Sequence, residues 1–274
     1  AHTVAARIAG IEREGATVEV VDGDYDAAVQ AADRFARARG WALVQDTAYP
    51  GYEEIPRWIT AGYTTHFREL EAQPAGAPLH AAGRPAVDLV LLQAGVGSWA
   101  ECATAYYHHR YGAARPRLAV VEPLEAACVL AAVAAGRLVR APGSAHTIMA
   151  GLDCATASSA AWPVLAAGAD ACVAIADGWA EEAVRRLAAR AGGAGQVVAG
   201  ETGAAGLAGL LALVHDPALA PARARLGLGP ELVVGGYSLG ARTVVRMLAR
   251  GVVRSRDGSR LMNRWPPATS VPTR

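Results

Sequence analysis

Residues 91–101 read LLQAGVGSWAE. The apolar run 87–93 shows no in/out alternation, as expected of a strand buried on both faces. It ends in QAGVGS and feeds a helical pattern. A strand, a glycine turn and a helix in that order place backbone N–H groups at a helix N-terminus, where the helix dipole also favours negative charge. Gly95 and Gly97 would let an anion come close to the main chain. The spacing matches neither GxGxxG nor the P-loop. A second reading stays open beside the first: Ser98 with Glu101 three residues on forms a capping box, in which the serine serves only the helix's own first amides.

On either side of this turn the chain alternates. VEVV at 18–21 predicts a strand. Asp24 then predicts an N-cap, because Tyr25, Ala28, Val29, Ala32, Phe35 and Ala36 fall at helical spacing, and Gly40 predicts the stop. WALVQD at 41–46 predicts the next strand, and residues 53–71 a helix. Pro74, Gly76, Pro78, Gly83 and Pro85 mark a linker. Further strands are expected at 118–121, 171–176 and 196–199. Apolar strands alternating with helices define an α/β fold with a parallel sheet covered on both faces.

Composition narrows the partner. The 274 residues are 53% hydrophobic, enough for a sizeable core, and a net charge of +1 with both signs scattered gives no footprint for nucleic acid or an anionic membrane. A small molecule is the expected partner. No charged-then-apolar leader pattern opens the sequence, and the longest uncharged apolar run, 204–214, is too short to span a bilayer, so a cytoplasmic location is expected. Cys102, Cys128, Cys154 and Cys172 include no CxxC pair, so neither a zinc site nor a secreted disulfide framework is indicated, and no metal is expected.

Five segments, in order, carry a family resemblance: DTAYPGYEEIPRWITAGYTT (46–65), LLQAGVGSWAECATAYY (91–107), VVEPLEAACVL (120–130), TIMAGLDC (147–154) and AGETGAAGL (199–207). Together they resemble diaminopropionate ammonia-lyases, which are fold type II enzymes dependent on pyridoxal 5'-phosphate (PLP). The resemblance implies a partial small α/β domain at 1–62, a large PLP-binding domain at 63–232 and a divergent C-terminal segment at 233–274. It implies that Gly95, Val96, Gly97 and Ser98 cradle the cofactor phosphate, that Glu201 lies near the pyridine ring, and that Asp46 handles protons or amino groups of an amino-acid substrate. The reaction implied is α,β-elimination of 2,3-diaminopropionate to pyruvate and ammonia, in a homodimer. For Asp46 the residues alone allow another role, an aspartate capping the amides of Thr47 or Ala48. Cys128 and Cys154 fall inside matched segments; a cytosolic protein predicts two free thiols there rather than a bridge.

Two features depart from the family. All 26 basic residues other than histidine are arginine, and the sequence contains no lysine. Covalent attachment of PLP needs a side-chain amine, which guanidinium cannot replace. These residues by themselves are therefore expected to be a non-catalytic binder of phosphate or PLP. The C-terminal stretch ELVVGGYSLGARTVVRMLARG also leaves the family pattern, and residues 257–274, without apolar periodicity, are expected to be disordered. GYSLG at 236–240 fits a nucleophile elbow with Ser238, but every histidine lies upstream of it, against the order of an α/β-hydrolase. His108 and His109 are adjacent and cannot pair as ligands; His66, His146 and the six tryptophans are read as structural.

Overall fold

The computed structural model describes residues 3–72, 80–81, 84–85, 87–189, 197–228, 233–236 and 245–248. They fall into two compact units, Ala1–Gln45 and Asp46–Arg274. The division precedes the expected boundary at 62, which lies inside a continuous helix, Glu54–Ala72.

The first unit holds α1 (Ala5–Arg13) and α2 (Tyr25–Arg39). The α2 caps are those its sequence predicts. Asp24 accepts the Ala27 N–H at 2.9 Å, and Gly40 closes the helix at φ 64°. The strands expected at 18–21 and 41–46 do not form: neither stretch is bonded into a ladder. A strand exists only with a neighbour, and no described segment of this unit supplies one. Val20, Trp41 and Val44 are exposed accordingly.

The second unit begins with α3 (Glu54–Ala72) and continues β1 (Leu89–Gln93), α4 (Ser98–Tyr111), β2 (Arg117–Pro123), α5 (Cys128–Ala135), α6 (Ala161–Gly168), β3 (Ala171–Ile175), α7 (Asp177–Ala188), α8 (Glu201–His215), α9 (Ala220–Arg225), β4 (Val233–Gly236) and β5 (Val245–Leu248). The sheet order is β3-β2-β1-β4-β5, parallel except for the antiparallel β4–β5 pair at one edge. In register, Gln93 lies beside Val121 and Ala119 beside Ala171. The stretch expected as a strand at 196–199 is not one in its described part. Val197 donates to Leu187 O of α7, and Val198 is exposed outside the sheet. The GYSLG serine, Ser238, and residues 257–274 lie outside the described residues.

Strand alternation explains the double cover. Leu89, Leu91, Ala119, Val121, Val173 and Ile175 share one core with the buried residues of α7 and α8. Val90, Leu92, Leu118 and Val120 point to the opposite face and are equally buried, so helices lie on both sides. The small residues of α8 are what let it approach. A Cβ at Gly209 would stand 2.5 Å from Val121 Cγ2, so the helix lies closer to β2 than any larger side chain would allow. On α3, Phe67 is enclosed by the rings of Trp99, Tyr106 and Tyr107 of α4, which fixes α3 against the helix that starts at the glycine turn. No single described helix is long and apolar enough to cross a membrane.

Candidate functional site

At the C-terminal end of β1 the chain turns through Gly95, Val96 and Gly97 into α4. Gly97 is the N-cap residue, at φ 99°, and has no side chain with which to cap the helix. The capping box does not form. Ser98 is already the first helical residue, and its hydroxyl donates instead to Asp46 O at 2.8 Å. The turn therefore presents main-chain N–H groups and a helix dipole that its own N-cap residue does not satisfy, an arrangement suited to an anion.

The packing behind the turn by itself already requires the glycines. A Cβ on Gly95 would meet Gly151 O at 3.0 Å and Cys154 Sγ at 3.1 Å. On Gly97 it would meet Leu165 Cδ1 at 3.0 Å and Ala161 Cβ at 3.2 Å, on a backbone that L side chains rarely adopt.

Asp46 stands against the turn through its backbone, held by Ser98. It is not at the end of a sheet strand, as 41–46 joins no ladder. Nor does it cap Ala48, whose N–H goes to Ser158 Oγ at 3.0 Å. Its carboxylate Oδ2 accepts the Tyr63 hydroxyl at 3.2 Å. Burial, then the Asp46 charge and its hydrogen bond, push the Tyr63 phenol up to about 12, so Tyr63 keeps its proton and stays a donor. Ser158 completes the frame: its N–H donates to Val96 O at 2.8 Å, joining the turn to the loop after Asp46.

Glu201 opens α8. Its neighbour Thr202 accepts the Gly151 N–H through Oγ1 at 3.0 Å, and Gly151 in turn backs Gly95. The turn, the 147–154 segment and the start of α8 thus meet, and Asp46 joins them through Ser98. Asp46, Gly95, Val96, Gly97 and Ser98 are joined directly, and Glu201 adjoins them only through its neighbour Thr202.

A further group in the neighbourhood lies inside the 120–130 segment but is not among the residues to which the resemblance assigns a role. Glu122, fully buried near the end of β2, accepts the Val129 N–H at 2.7 Å and the Leu130 N–H at 2.8 Å at the start of α5. Burial pushes its carboxyl up to about 8, while these amides and the Cys128 thiol pull the other way. Between its ordinary value of 4.5 and about 8 the folded chain holds a proton that the unfolded chain has lost. The stability from this group is complete below the lower value and is lost as pH rises through the upper one. Thermal midpoints of the wild type are therefore expected to fall relative to Glu122→Gln between about pH 5 and about pH 9. Parallel melting curves across that range would contradict the shift.

Cys128 and Cys154 do not form a disulfide, and neither do Cys102 and Cys172. Burial first, then Glu101 for Cys102 and Glu122 for Cys172, pushes both latter thiols up to about 12, which leaves no thiolate there for nucleophilic chemistry. His108 Nε2 lies 2.9 Å from Gly168 O and His66 Nδ1 3.2 Å from Tyr63 O, both structural contacts. Trp99 packs as expected, but Trp41 and Trp58 are exposed. Trp265 and its surroundings lie outside the described residues. Among the described residues no cluster of three or more His, Cys, Asp or Glu could hold a metal ion.

A parallel α/β sheet whose strand ends carry an uncapped helix N-terminus is the layout of a protein that binds an anionic ligand at the carboxyl edge of its sheet. The sequence pattern of the pyridoxal-phosphate dependent enzymes matches residues 1–226, and the chain belongs to that family. The diaminopropionate ammonia-lyase of Salmonella typhimurium is 36% identical over 217 residues, 77% of this chain and 52% of that protein. The Escherichia coli K12 enzyme is 33% identical over 231 residues, 83% of this chain and 56% of that protein. The chain thus spans about half the length of the curated relatives it matches. The solved Escherichia coli enzyme in complex with an aminoacrylate-PLP azomethine reaction intermediate superposes with a TM-score of 0.73 at 31% identity, over 86% of this chain and 59% of that one. Threonine deaminase isoform 2 of Solanum lycopersicum, at 17% identity and TM-score 0.64, shares the fold.

Proposed function

We propose that this chain carries the phosphate-holding and proton-handling part of a PLP-dependent lyase site for 2,3-diaminopropionate, whose α,β-elimination yields pyruvate and ammonia. The observation that carries the reading is the Ser98–Asp46 bond, because it ties the residue assigned to proton handling to the turn assigned to the phosphate. The names of the relatives supply the substrate class. The turn suits a phosphate because its N-cap residue is a glycine with no side chain to cap the first-turn amides, while the neighbouring N-terminus of α5 is already occupied by Glu122.

PLP, when bound, supplies the electron sink for loss of the substrate α-proton. The amides of Gly95, Val96, Gly97 and Ser98 would hold its phosphate, and Glu201 at the head of α8 would face its ring. Asp46, oriented by Tyr63 and with lone pairs to spare, pairs with the second amine of the substrate and handles its proton. The 274 residues contain no lysine, so they hold the cofactor without a covalent bond. A homodimer and a cytoplasmic location belong to the same proposal, as does an amino-acid partner rather than nucleic acid or membrane.

The test is to load the protein with PLP and add 2,3-diaminopropionate. PLP is expected to bind and pyruvate not to form. Asp46→Asn is expected to weaken diamine binding about tenfold, the value of one hydrogen bond between charged groups, while alanine binding is unchanged. Pyruvate formation would overturn the non-covalent reading, and equal loss for diamine and alanine would remove Asp46 from the role.

A further inference from the structure

Three consecutive residues at the head of α5 connect Glu122 to the glycine turn. Val129 and Leu130 donate their N–H groups to the two oxygens of Glu122. Cys128 Sγ lies 3.2 Å from Gly95 O, and its single proton serves that carbonyl or the Glu122 carboxyl. Val129 Cγ2 lies 3.4 Å from where a Cβ on Gly97 would stand, so it forms part of the wall behind that residue. The strand side closes the loop: Ala94 N donates to Val121 O at 3.0 Å, one residue before Glu122. The turn is therefore held at Ala94 by β2 and at Gly95 and Gly97 by α5, and both holds converge on one buried carboxyl.

We propose that Glu122 is a positioning residue for the phosphate turn, fixing the first turn of α5 so that Cys128 and Val129 hold Gly95 and Gly97 in the shape that presents their amides. It rests on the reading of that turn as the phosphate cradle. A second effect follows from the same contacts. Two helix N-termini, of α4 and α5, adjoin this part of the sheet, and each attracts negative charge. Glu122 satisfies the amides of α5 with a protein group, whereas the N-cap residue of α4 is a glycine with no side chain to do so.

The decisive variant is Glu122→Gln, which keeps the side-chain volume but turns an amide NH2 toward one of the two N–H donors. The measurements are the dissociation constants of PLP and of pyridoxal, which lacks the phosphate, together with amide hydrogen exchange, on protein shown by circular dichroism to be folded. PLP binding is expected to weaken about tenfold with pyridoxal binding unchanged, and exchange to quicken at Val96, Gly97 and Ser98 as well as at Val129 and Leu130. Faster exchange confined to Val129 and Leu130, with the PLP-to-pyridoxal ratio of the wild type, would show that Glu122 caps α5 and nothing more. If wild-type protein binds PLP no better than pyridoxal, the phosphate cradle itself fails. Exchange at Val96, Gly97 and Ser98 then still decides whether Glu122 holds the turn.

Discussion

Replacing Gly97 with alanine is expected to weaken PLP binding by about ten- to a hundredfold, the equivalent of the roughly 1–3 kcal/mol that a non-glycine residue costs in a sparsely allowed backbone region. Two causes act together. The φ of 99° is foreign to an L side chain, and the added Cβ has Leu165, Ala161 and Val129 within 3.4 Å. Leu165 and Val129 are themselves buried, so the cheaper response is for the turn to move, and the turn is what presents the amides. Isothermal titration of the variant with PLP measures the loss. Gly62→Ala is the control, since Gly62 has open space around it, an ordinary φ and no part in the turn. An unchanged PLP affinity in Gly97→Ala would mean that the phosphate is held elsewhere.

Phe67→Ala is expected to have the largest effect on stability, about 3–5 kcal/mol, as for other buried aromatic truncations. Phe67 is 1% exposed, with ring centroids of Trp99, Tyr106 and Tyr107 at 5.7, 5.2 and 6.0 Å. The lost ring removes both buried area and the aromatic contacts that join α3 to α4. Set against a typical total of about 5–15 kcal/mol, a loss of that size endangers the fold of the second unit. Trp99 is the second residue of α4, so the damage reaches the glycine turn. Urea unfolding is expected to show a lower midpoint at similar slope. A change under about 1 kcal/mol would mean that the α3–α4 contact contributes little.

What could be read from the sequence is what local chemistry decides. Asp24 and Gly40 bound α2 because a cap is made within a few residues. The passage from β1 through the glycine turn to α4 was legible for the same reason, in the change from a continuous apolar run to a glycine turn and a helical pattern. The stretches at 18–21, 41–46 and 197–199 had strand composition but joined no ladder, since ladder formation depends on a partner distant in sequence. The capping box failed similarly. Ser98 satisfied the local pattern, yet its hydroxyl went to a carbonyl 52 residues away. Of the site's supports, Tyr63, Ser158 and Thr202 are set by long-range contacts, and Glu122 by amides seven and eight residues on. Three of these, Tyr63, Glu122 and Thr202, lie inside the motifs that carry the resemblance, but no spacing rule distinguishes a side chain that holds a site from one facing water. Glu122 had a weaker signal, a carboxylate in an otherwise apolar strand followed by proline.

The central claim is that the amides between β1 and α4 hold a phosphate. The most direct measurement is an amide nitrogen–proton spectrum of isotope-labelled protein titrated with PLP and, separately, with pyridoxal. The account predicts that PLP moves the signals of Gly95, Val96, Gly97 and Ser98 and that pyridoxal leaves them in place. PLP binding that shifts other amides and spares these four would contradict it.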